Sequence, residues 1–96
     1  MKFFFHPEAD EEFSQAIDYY EQVQLGLGYD FAIEVSSTIA RIVEFPRAWP
    51  SIEEDIHRCL TKRFPYGILY SIEQKKIYIL AVMHLNREPG YWKYRK

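Results

Sequence analysis

The hydrophobic period of this chain changes once, and that change limits what it can fold into. Before residue 46, apolar side chains recur at helical spacing. Ala9, Phe13, Ala16, Ile17 and Tyr20 make one stripe, and Phe31, Val35, Thr38, Ile39 and Ile42 make a second. After residue 55 the period is two. Ile56, Arg58, Leu60 and Lys62 alternate with His57, Cys59, Thr61 and Arg63, and the runs 66–72 and 77–84 are rich in β-branched and aromatic residues. Helix-patterned chain followed by strand-patterned chain predicts an α+β domain in which the helices cover one face of an antiparallel sheet.

The punctuation refines this. Residues 2–5 are short and aromatic and predict a first strand. Pro7 suits a first helical turn, and Glu8, Asp10, Glu11 and Glu12 complement the positive end of the helix dipole. Gly26-Leu27-Gly28 breaks the pattern, so the second helix, about 29–45, folds back as an antiparallel hairpin and stops at Pro46. Residues 47–55 predict a loop, and residues 73–76 a hairpin turn. The run 77–82 is nearly all apolar and predicts a central strand. The expected order is β-α-α-β-β-β in a single domain, 1–96.

Ninety-six residues suffice for one core, and 48% hydrophobic with 18% aromatic residues excludes a disordered chain. The single cysteine, Cys59, excludes an intrachain disulfide and is expected as a small buried hydrophobe. No apolar run reaches membrane length and no signal peptide pattern is present, so a cytoplasmic location with no membrane partner is expected. The residues suggest neither a metal site nor a cofactor.

Charge is divided as sharply as periodicity. Residues 1–55 hold three Lys/Arg against twelve Asp/Glu, a net −9; residues 56–96 hold nine against two, a net +7. A basic, aromatic half suits a polyanion or an acidic partner. Its candidate binding residues are Arg58, Lys62, Arg63, Trp92 and Arg95. Each also has a structural reading: Arg58 in an ion pair, Trp92 packed on the sheet, and part of the charge neutralised by the acidic helices.

On the segments HPEADEEFSQAIDYYEQ, GLGYDFAIEV, FPYGILYSI and AVMHLNREPGYWKYR, in that order, the chain resembles the RelE/ParE toxins of bacterial type II toxin–antitoxin systems. The resemblance covers essentially the whole length. It implies a cognate antitoxin whose C-terminal segment wraps the toxin, and a target that is either DNA gyrase or mRNA on the ribosome. For the second target, metal-free RNA cleavage needs a proton acceptor, cations at the phosphate and help for the leaving oxygen. His84, Arg87 and Tyr91 are then the expected catalytic set, helped by Lys62 and Arg63. RelE-like members carry an arginine in the strand that FPYGILYSI resembles, and Gly67 stands there instead. That departure, with the net charge of −2, favours the ParE-like branch. A degenerate toxin that only binds an antitoxin is a third reading.

Overall fold

The computed structural model describes residues 1–95. Strand β1 (Lys2–Phe5) leads into helix α1 (Pro7–Val23) and helix α2 (Leu27–Glu44). Strands β2 (Ser51–Glu53), β3 (Ile56–Leu60), β4 (Tyr66–Glu73) and β5 (Lys76–His84) follow, and a short 3₁₀ turn (Lys93–Arg95) lies near the C-terminus. The α+β class and the order strand, two helices, strands are as the pattern dictates. Two features go beyond it. The sheet is mixed, because β1 lies parallel to β5 while β2 through β5 are antiparallel. The expected loop also contains β2, a short edge strand beside β3. The sheet order is β1-β5-β4-β3-β2, so the first and last strands in sequence are neighbours.

The helical hairpin is fixed at its turn. The Glu21 carboxylate accepts from Gly26 N–H (2.9 Å) and Gly28 N–H (3.0 Å), satisfying donors at the start of α2 that the helix itself leaves unpaired. Gly28 is also where the two helices touch most closely. A Cβ there would stand 2.5 Å from the Ile17 carbonyl oxygen, so no larger residue fits. The two predicted stripes meet between the helices and the sheet. Phe31 is fully buried, with Tyr20 at 5.1 Å, Phe64 at 5.1 Å and Tyr66 at 4.8 Å between ring centroids. Such inclined rings add to the area they bury. Cys59 is buried in this layer, and burial pushes its thiol pKa up against the opposing influence of Arg41.

A second, smaller core lies on the opposite face, where Ile56, Leu69, Leu80, Ala81 and Met83 are covered by Trp92. The C-terminal segment therefore packs across the back of the sheet, and β5 is buried on both sides. The β4–β5 hairpin closes through Gln74 and Lys75, both at positive φ (51° and 63°), as a two-residue turn compatible with strand twist demands.

One irregularity positions everything that follows. Leu69 pairs with Ala81 but Tyr70 pairs with Ile79, so Leu80 is an extra residue in β5. A bulge of this kind reverses which residues point to which face. Ile77 and Ile79 face the helices before it. Beyond it, Val82 does so, and the His84 ring meets Tyr66 edge-on at 5.1 Å on that same side.

Candidate functional site

Beyond Ile79, the edge of β5 is no longer covered by β1, because the chain leaves the sheet at His6, whose N–H makes the last contact to Ile79 O (2.8 Å). Two side chains serve that exposed stretch of backbone. Glu12, on α1, accepts from Val82 N–H (3.1 Å), and Arg95 donates to Leu80 O (3.1 Å). The two side chains also bind each other face to face: Arg95 Nη1 to Glu12 Oε1 at 2.9 Å and Nη2 to Oε2 at 3.0 Å. The Arg95 side chain is only 5% exposed and Glu12 15%. Burial, the largest single influence, would make Arg95 easier to deprotonate, but the hydrogen bonds with Glu12 and Tyr94 and the charge of Glu12 together outweigh it and raise the pKa. The pair ties the C-terminal segment to α1 across the bulge.

Beside this pair is a cleft of about 220 Å³ between α1, β5 and the C-terminal segment. Tyr19, Tyr66, His84, Arg87 and Tyr91 line it, together with Glu12. His84 Nδ1 accepts from Asn86 N–H (3.0 Å), so the neutral ring carries its proton on Nε2. The Arg87 guanidinium lies 3.9 Å from the Tyr91 ring centroid and pairs with no carboxylate among the described residues. Tyr91 is held from two sides, since the Arg95 guanidinium also lies 5.1 Å from its ring. Burial, reinforced by the nearby Glu12 carboxylate, pushes the Tyr91 hydroxyl well above the ordinary tyrosine range. Burial likewise pushes Tyr66 up to about 12, with Tyr20, Tyr19 and Glu12 adding to it. Both tyrosines stay protonated at neutral pH and present hydroxyl donors, not bases.

The structure thus brings His84, Arg87 and Tyr91 together and scatters the other sequence candidates. Two of the expected binding residues take the structural places also foreseen for them: Arg95 is buried against Glu12, and Trp92, 4% exposed, packs on the second core. Arg58 lies on the back of the sheet, paired in register with Leu69, and its stem crosses Gly67, where a Cβ would meet Arg58 Cγ and Cδ at 3.3 Å. Lys62 and Arg63 sit over α2. Their N–H groups both donate to the Glu34 carboxylate, and the Arg63 side chain pairs with Asp30 at 3.3 Å. Among the described residues these cations do not form a single patch.

The sequence reading missed Glu12, Tyr19 and Tyr66. Glu12 left a signal: it falls three residues after Ala9 and four before Ala16, on the edge of an apolar stripe. A carboxylate there needs a cationic partner. Nothing local identifies that partner as Arg95, 83 residues away.

A small sheet with a helical hairpin on one face, and a cleft where the C-terminal segment meets the first helix, defines a compact α+β class of protein. The chain belongs to the family described as the ParE toxin of the type II toxin–antitoxin system parDE, whose profile matches residues 3–89. The fold is similar to a structure of the chromosomal ParDE toxin–antitoxin system from P. aeruginosa. The TM-score is 0.79 at 13% identity, covering 90% of this chain and 97% of the other. No curated protein sequence matches the chain. Among the described residues, no helix is long and apolar enough to cross a membrane.

Proposed function

We propose that the protein inhibits growth in the cytoplasm, is neutralised by a cognate antitoxin, and acts by binding an essential machine rather than by cutting RNA. DNA gyrase is the target this branch of the family suggests. The observation that carries the non-catalytic reading is the dispersal of the cations. Phosphodiester cleavage without a metal needs acid, base and cation at one phosphate. Here Arg58 is on the back of the sheet, with Gly67 beside it, while His84 faces the helices. Arg63 is paired with Asp30, and Arg95 is buried with Glu12. The Tyr91 hydroxyl is buried and its pKa is raised, so it is a poor proton acceptor.

A second reading, a metal-independent endonuclease acting on mRNA at the ribosome, has one observation in its favour: His84 and Arg87 share the cleft. Two assays separate the readings. Purified protein is expected to inhibit gyrase supercoiling while transcripts in arrested cells remain intact. Cut transcripts that disappear on His84→Ala or Arg87→Ala would overturn the proposal. The cognate antitoxin is expected to be the product of a small neighbouring gene, and co-expression of that gene is expected to restore growth.

A further inference from the structure

Arg87 carries a full positive charge with no carboxylate partner among the described residues, and Tyr91 holds it by its ring alone. Asn86 N–H occupies His84 Nδ1, which leaves Nε2–H as a donor. The one carboxylate in the wall, Glu12, is already committed through both oxygens to Arg95 and through one of them to Val82 N–H. Arg87 is exposed, so its guanidinium is accessible to a negatively charged group from outside.

We propose that the cleft is an anion-binding site that receives one carboxylate from an acidic segment of the antitoxin, with Arg87 as the anchor and the tyrosine rings as walls. A guanidinium with an open edge matches a carboxylate in two-point geometry. A single cation suits a monoanion better than a doubly charged phosphate, because Glu12 stands in the same wall and repels the excess charge. The volume of about 220 Å³ admits one acidic side chain. The assignment of the carboxylate to an antitoxin rests on the function proposed above; the chemistry of the cleft does not.

The test is a nuclear magnetic resonance titration of the full-length protein with three probes: N-acetylglutamate α-amide, its neutral glutamine analogue and inorganic phosphate. The carboxylate is expected to give saturable shifts at His84, Arg87 and Tyr91, and the neutral analogue none. Arg87→Gln is expected to weaken the carboxylate about tenfold, roughly 1.4 kcal/mol, while Lys75→Gln, in the β4–β5 turn, binds as the parent does. Absence of saturable shifts, or equal binding by Arg87→Gln, would sink the site. Phosphate binding more tightly than the carboxylate would overturn the ligand class. Growth arrest on expression, and its rescue by the neighbouring gene, tests the toxin reading separately. A carboxylate site in a protein that arrests nothing would leave the site standing and remove the function. Arrest and rescue without the site would do the reverse.

Discussion

Arg95→Met should be among the most damaging single changes in this chain, although Arg95 belongs to the last turn. The side chain makes two charge-assisted hydrogen bonds to Glu12 and one to Leu80 O, all while 5% exposed. Methionine fills most of the volume but leaves Glu12 charged and nearly buried, with Val82 N–H and no cation. Removing one partner of a buried pair costs about 3–5 kcal/mol. For a domain of this size each kcal/mol lowers Tm by roughly 4–8 °C, so a fall on the order of 12–40 °C is expected. Urea unfolding followed by far-ultraviolet circular dichroism measures it, with a lower midpoint at unchanged slope. Glu12→Gln alone should also destabilise, because it leaves the buried Arg95 with only the more distant Glu8 carboxylate, at 3.8 Å. The double variant should be less damaged than the sum of the singles, by about 2 kcal/mol. Either single costing under about 1 kcal/mol, as exposed pairs do, would refute the reasoning. So would additivity within roughly 0.5 kcal/mol.

Other consequences are local. Gly28→Ala should cost about 2 kcal/mol in chemical denaturation, since the new Cβ meets the Ile17 carbonyl at 2.5 Å and the helices must part. Glu21→Ala removes the acceptor of two N–H groups at the start of α2 and should cost about 1 kcal/mol in the same assay, with no change in fold. Tyr66 and Tyr70 are both held at about 12 by burial, against an ordinary value near 10. The native state therefore keeps their protons after the unfolded chain has released them. The contribution of these two groups should be constant below about pH 10 and be lost as pH rises through about 12, which unfolding midpoints from about pH 9 upward will show. Tyr70→Phe, which also removes the hydrogen bond to Pro46 O (2.6 Å), should lower stability by about 1 kcal/mol at neutral pH and flatten that alkaline decline.

How much of this was legible beforehand depends on whether a property is local. Both helical stripes, the strand Lys2–Phe5 and the turn at Gln74 and Lys75 follow from neighbours within a few residues, and periodicity records them. The parallel seating of β1 against β5 does not follow in that way, since it joins residues more than 70 positions apart. Nor does β2, whose three residues pair with β3 around a register shift beside two prolines in the chain.

The site shows the same division. That a histidine, an arginine and a tyrosine occur within eight residues is plain in the sequence; that they share a cleft with the first helix is not. Strand residues alternate between faces, so the face of His84 is set by pairing register, and the extra residue at Leu80 reverses it. Which arginine is left for a ligand was likewise decided in three dimensions. The acidic first helix was expected to claim part of the basic half, and it claims Arg95 through Glu12, leaving Arg87 on the ring of Tyr91. Sequence alone determined the two patterned halves and their opposite charges, because both are sums over neighbouring residues. Only the tertiary structure decided which charges cancel and which remain, because that depends on contacts between residues far apart in the chain.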